Sequence, residues 1–114
     1  MTYWNDLNTL VAESTIKIDR PKGYRHPRNK AVIYPFDYGY LDETKADDGE
    51  GIDIWVGSKP EPKQVEGIIT TVDLAKRDAE IKILYGTTEE ENSLALDTHN
   101  IGTQAAKLIR RNSD

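Results

Sequence analysis

Val65-Glu66-Gly67-Ile68-Ile69-Thr70-Thr71-Val72-Asp73 is a run rich in β-branched residues, and Ala79-Glu80-Ile81-Lys82-Ile83-Leu84 is a second, with the charged turn Lys76-Arg77 between them. Working outward, Ile52-Asp53-Ile54-Trp55-Val56 alternates in the same way and ends at Gly57, and the two-proline turn Lys59-Pro60-Glu61-Pro62-Lys63 follows it. Thr15 to Arg20 alternates Ile16 and Ile18 with Lys17 and Asp19 until Pro21-Lys22-Gly23 breaks the pattern. Ala31 to Tyr34 is a further apolar run stopped by Pro35, and Lys107 to Arg111 reads as a last short strand. Two segments carry helical signals. Trp4, Leu7, Leu10 and Val11 share one face of a short helix. Thr87 or Thr88 before Glu89-Glu90-Glu91 reads as a capped helix start, with Leu94 and Leu96 inward and an end near His99-Asn100. Five or six short strands with one or two helices, one of them N-terminal and one C-terminal, predict a mainly β (α+β) chain: a small, mostly antiparallel β-barrel with a helix packed on it.

The chain has 114 residues, enough for one domain spanning residues 1–114. Hydrophobic residues are 37% and charged residues 31%, against an average of about 45–50% and about 25%. The core is therefore thin, and burying a further face in a homo-oligomer would help it. Twenty acidic against 15 basic residues give a net charge of −5, which opposes nucleic acid as a partner. No apolar run is long enough to cross a membrane, and Thr2-Tyr3-Trp4-Asn5-Asp6 lacks the basic start of a secretory signal. The expected location is the cytoplasm. The absence of cysteine excludes disulfides, thiolate metal sites and cysteine nucleophiles.

Charge is sorted along the chain. Lys17, Arg20, Lys22, Arg25, Arg28 and Lys30 form a basic stretch opposed only by Asp19. Asp42, Glu43, Asp47, Asp48, Glu50 and Asp53 form an acidic one opposed only by Lys45. Such runs are often just solvated faces. Crowded carboxylates nevertheless repel, by about 1 kcal/mol per pair at 4 Å even in water, and a divalent cation removes that cost. Oxygen donors without cysteine suit Mg²⁺, or Mn²⁺ as an alternative. Nearby arginines suit a phosphate ligand. The EF-hand pattern fails here, since its first positions before Gly49 would be Thr44 and Ala46. Walker A, G-x-S-x-G and H-E-x-x-H patterns are absent. His26 falls in the basic loop and His99 at a helix end.

Tyr34-Pro35-Phe36-Asp37-Tyr38-Gly39-Tyr40 followed by Asp48-Gly49-Glu50-Gly51-Ile52-Asp53 resembles the soluble, magnesium-dependent (family I) inorganic pyrophosphatases, which carry Tyr-Pro-x-x-Tyr-Gly-Tyr and then Asp-Gly-Asp-Pro-x-Asp. Asp73 and Asp78 match a second family pair of aspartates five apart, and the similar stretch runs from Ile16 to Leu84. The resemblance implies a five-stranded OB-like barrel and hydrolysis of pyrophosphate to two phosphates with several Mg²⁺ ions. It implies Asp48, Asp53, Asp73 and Asp78 as metal ligands and Glu50 as the group taking a proton from the attacking water. It implies Tyr38, and Tyr34 at the pocket edge, as substrate-binding residues, together with an arginine that is either Arg25 or Arg28. In such chemistry a water shared by two divalent ions about 3.5–4 Å apart becomes a nucleophile near neutral pH, a carboxylate takes its proton, and cations stabilise the leaving phosphate.

Several positions depart from the family pattern. Glu50 replaces an aspartate, and its extra methylene shifts the carboxylate by about 1 Å, a displacement that can cost about 100-fold. Gly51 replaces proline and loosens the loop. Thr15 and Lys17 stand where a lysine and a glutamate should face the pocket, and an upstream glutamate is unmatched, with Asp6 and Glu13 nearby. Glu80 stands where a lysine should follow the aspartate pair, while Lys82, two residues on, shares its strand face and is the candidate substitute. Asp97-Thr98-His99-Asn100 lacks the Tyr-Lys pair of the family's C-terminal helix. The resulting reading is an inorganic diphosphatase acting on a small phosphate substrate. The runner-up is a pyrophosphatase-like module that binds metal and a phosphorylated small molecule without fast turnover. An OB-type single-strand binder has the aromatics, but the acidic loop and net charge oppose it. Tyr40 is expected in the core, and Trp4 and Trp55 as packing or interface residues.

Overall fold

A computed structural model of the chain describes residues 2–46 and 49–111. Its elements in order are α1 (Tyr3–Glu13), β1 (Ile16–Arg20), β2 (Asp37–Leu41), β3 (Ile52–Val56), β4 (Val65–Asp73), β5 (Asp78–Tyr85), α2 (Glu89–His99) and β6 (Gln104–Arg110). The mainly β architecture with two helices is the expected fold class. The six strands form one sheet in the order β1-β2-β3-β5-β4-β6. Two details correct the expected antiparallel barrel. The ladder does not close on itself, so β1 and β6 are edges, and β3 pairs with β5 in parallel. The parallel pair arises because β4 forms its hairpin with β5 and then lies outside it, so the chain returns to β3 in β3's own direction.

Local chemistry accounts for the elements. Thr2 caps α1 through its hydroxyl to the Asn5 N–H. The helix turns Leu7 and Val11 onto one sheet face, against Leu41, Ile54, Val65, Ile68 and Ile83. Thr88 and Glu91 form a reciprocal capping box at the start of α2. The opposite sheet face holds Tyr34, Phe36, Tyr38, Trp55, Ile69 and Leu84 around Ala95 of α2. The buried residues of α2 are Asn92, Ala95 and His99. Leu94 instead points outward at 41% exposure, which corrects its expected inward position, while Leu96 packs against the core edge. Asn92 is tolerated inside because it bonds the buried Thr87 hydroxyl.

Two segments differ from the sequence expectation. Asp37–Leu41, unassigned by alternation, is a strand paired on both sides. It accepts β1 only because of Gly39, where an added Cβ would lie 1.8 Å from the Lys17 carbonyl oxygen. The run Ala31 to Tyr34 is not a strand of the sheet. It folds back on residues 23–26 as an arm, held by the Arg25–Ile33 bridge and by backbone bonds of Gly23 and Tyr24 with Tyr34 and of His26 with Val32.

Candidate active site

Strand register assembles a charged row on the α2 face of the sheet. Tyr40 of β2 lies opposite Asp53 of β3, and Asp53 lies opposite Lys82 of β5. Glu80 shares the face of Lys82 because side chains alternate along β5. Lys82 is 6% exposed, and its Nζ donates to Asp53 Oδ2 at 2.6 Å and to Glu80 Oε2 at 2.7 Å. Burial alone would lower its pKa, but the Asp53 and Glu80 carboxylates outweigh that and hold it above the ordinary 10.5. Burial pushes the neighbouring Tyr38 hydroxyl well above 10, helped by the negative charge of Asp53. At neutral pH Tyr38 therefore keeps its proton.

Helix α2 closes the row with His99, whose Nε2 accepts the indole N–H of the fully buried Trp55 at 3.0 Å. Indole only donates, so the proton of the neutral imidazole resides on Nδ1. Burial, with Lys82 adding repulsion, lowers the His99 pKa to about 3. Arg20 enters from β1, donating to the Tyr34 hydroxyl with its guanidinium 5.4 Å from the Tyr34 ring centre.

Above this row opens a cleft of about 880 Å³. Of the residues singled out from sequence, Glu50, Asp53, Asp73, Tyr34, Tyr38, Arg28 and Lys82 all line it. Of the two candidate arginines, Arg28 lines the cleft, whereas Arg25 turns its guanidinium to the Lys30 carbonyl and is not in the cleft wall. Asp78 pairs with Asp73 at the hairpin end but is exposed and outside the cleft wall. Tyr34 is buried in the aromatic core, not at a pocket edge alone. Tyr40, expected in the core, is half-buried and reaches the cleft. Asp48 lies outside the described residues.

Asp73 Oδ1 accepts the N–H groups of Ala75 and Lys76 and the Thr103 hydroxyl. The Lys76 bond and the Thr103 hydroxyl lead in lowering its pKa below the ordinary 3.8. It thus caps the β4–β5 turn as well as facing the cleft. Sequence reasoning missed Asp19, Arg20, Lys76, Gln104 and His99 as cleft residues. Arg20 was visible only as one of a basic stretch, and Lys76 as a turn charge; nothing local marks their shared direction.

The donor chemistry suits a hard divalent ion, being carboxylate oxygen throughout. Among the described residues, however, no three His, Cys, Asp or Glu side chains come together to hold a metal. Mg²⁺ does not require three: it keeps waters and binds through one or two carboxylates plus substrate phosphates. Asp53 fits that mode as a single carboxylate, and Asp73 stands farther along the same cleft.

No family model matches the chain, and no curated protein matches it. Solved structures do. A structure described as an inorganic phosphatase from Anaplasma phagocytophilum aligns at a TM-score of 0.58 and 13% identity, covering 83% of this chain and 81% of that one. An inorganic pyrophosphatase from Coxiella burnetii aligns at 0.50 and 19% identity, covering 83% and 76%. At these identities the likeness shows the fold: the chain has the architecture of structures that include an inorganic pyrophosphatase.

Proposed function

We propose that the chain hydrolyses inorganic pyrophosphate to two phosphates at this cleft, with Mg²⁺. The observation that carries the reading is the row of Asp53, Lys82 and Glu80, with Tyr38 lining the same cleft, on a fold similar to pyrophosphatase structures. Asp53, together with Asp48, would hold one ion and Asp73 another; when bound, such ions neutralise phosphate oxygens and lower the pKa of coordinated water. Arg28, Lys76 and Lys82 orient the phosphates and stabilise charge on the leaving one. The water oxygen bonds to one phosphorus as the bridging P–O bond breaks. Glu50 takes one water proton and returns it to the departing phosphate. Asp78 has no place in this scheme because it lies outside the cleft wall.

One observation favours a second reading, the binding module without fast turnover: Lys82 already ion-pairs with both Asp53 and Glu80. Phosphate release from pyrophosphate with Mg²⁺ separates the two. We expect release by the native chain and none by Asp53→Asn, with the fold retained. Unchanged turnover in that variant would overturn the role of Asp53. No release by the native chain, alongside Mg²⁺-dependent pyrophosphate binding by calorimetry, would leave the module. We further propose a cytoplasmic homo-oligomer without nucleic-acid or membrane partners. No helix among the described residues is long and apolar enough to cross a membrane.

A further inference from the structure

The cleft has more room than pyrophosphate alone takes up. That ion fills on the order of 100–150 Å³, four or five water volumes at about 30 Å³ each. The cleft holds about 880 Å³, within the range of about 300–1,000 Å³ typical of pockets for drug-sized organic molecules. Hydrated cations could occupy part of the excess, but they gain nothing from the rest of the lining. Pro27 and Val32 of the arm and Ile101 of the α2–β6 connection are apolar, and Asn29 adds an amide. Ile101 is 43% exposed and Val32 half-buried, so this apolar surface stays open to a ligand. The His26 ring lies nearly parallel to Tyr34, 10° between planes and 6.3 Å between centres. Its Nδ1 accepts the Arg28 and Asn29 N–H groups, which fix the ring in the arm.

Charge points the same way. Arg20, Arg28, Lys76 and Lys82 face five anionic side chains in the described lining: Asp19, Glu50, Asp53, Asp73 and Glu80. A wall without net positive charge attracts a bare polyanion weakly. Mg²⁺ offsets this, and an uncharged portion of the ligand resting on the apolar wall would add affinity that the phosphates alone do not supply.

We propose that the cleft also takes a nucleoside diphosphate, its anhydride on the Asp53–Lys82 row and its base against the arm and Ile101. The inference rests on reading the cleft as a phosphoanhydride site. Hydrolysis there bonds the water oxygen to the terminal phosphorus and breaks that phosphorus's bond to the bridging oxygen. The nucleoside monophosphate leaves with the bridging oxygen and takes the water proton passed on by Glu50, alongside orthophosphate.

The test compares two non-hydrolysable ligands with the same P–C–P core, methylenediphosphonate and α,β-methylene-ADP, by calorimetry with Mg²⁺ on the full chain. The nucleoside compound should bind at least tenfold tighter. Ile101→Asp should collapse that ratio toward one, as should Val32→Asp. Equal or weaker binding of the nucleoside compound overturns the proposal, as does a ratio that survives both substitutions. Phosphate release from pyrophosphate and ADP is followed in parallel. Its absence from both overturns hydrolysis, while the binding ratio still decides the ligand class.

Discussion

Removing the Lys82 ammonium gives the sharpest probe of the charged row. In Lys82→Met the side chain keeps most of its length but leaves Asp53 and Glu80 facing each other without a cation. Each contact, at 2.6 and 2.7 Å, represents a gross attraction of about 6 kcal/mol at an effective dielectric of about 20. Desolvation of the three charges offsets most of that, and breaking a buried pair costs about 3–5 kcal/mol net. The carboxylates retain 31% and 20% side-chain exposure, so water relieves part of the loss and the low end applies. A destabilisation of about 3 kcal/mol should appear in urea melts, with Tm falling by about 12 °C for a chain of this size. Adding Asp53→Asn to Lys82→Met removes the repulsion and should recover at least about 1 kcal/mol, a coupling read from the double-mutant cycle. Millimolar Mg²⁺ should stabilise Lys82→Met more than the native chain, because the vacated position then favours a divalent ion. A loss below about 0.5 kcal/mol, the level of an ordinary surface change, together with no coupling to Asp53 would refute the argument.

The same lysine sets an alkaline limit. Its folded pKa is raised, so its contribution is complete below 10.5 and is lost as pH climbs through the folded value; native-chain stability should fall above that pH and the Lys82→Met variant should lack this fall. His99 sets an acid limit, since its folded pKa is lowered from 6.5 to about 3. Stability present above 6.5 should decline through that window at about 1.4 kcal/mol per pH unit, and His99→Gln should flatten the decline in melts run from pH 7 to 4. Gly39→Ala drives a Cβ into the Lys17 carbonyl, so β1 amides should lose protection in hydrogen exchange while β4 and β5 keep theirs. Thr88→Ala removes the α2 cap and should cost about 1 kcal/mol in a urea melt.

The parts of the fold that were legible in sequence are those encoded locally. The β4 and β5 runs, the Thr88 capping box and the α1 stripe each declare themselves within a dozen residues. The inward stripe of α2 did not, because Asn92, Ala95, Leu96 and His99 have the helical spacing but two of the four are polar. A search for apolar periodicity finds Leu94 instead, which faces out. Strand β2 hid for a related reason: its alternation is carried by tyrosines around Gly39, and Gly39 reads as a breaker until its closeness to Lys17 is seen.

The site follows the same division. Alternation along β5 is enough to place Glu80 and Lys82 on one face, and so the lysine could be named as a stand-in cation from sequence alone. Its partner could not. Asp53 lies 29 residues away, and it becomes a neighbour only because β5 inserts between β3 and β4 with a parallel register. No local pattern specifies that insertion; it depends on which strands bury Ile54, Ile83 and Ile68 together. The consequence is chemical. Read along the chain, Asp53 is a bare carboxylate awaiting a metal. Read across the sheet, it is half of a pair already made, and any divalent ion that binds it must share or displace the Lys82 ammonium. Metal affinity at this cleft should therefore be weak without substrate and should rise when phosphate oxygens arrive to complete the coordination shell. Calorimetric titration of Mg²⁺ with and without methylenediphosphonate measures that difference, and equal affinity in both titrations would contradict the reading.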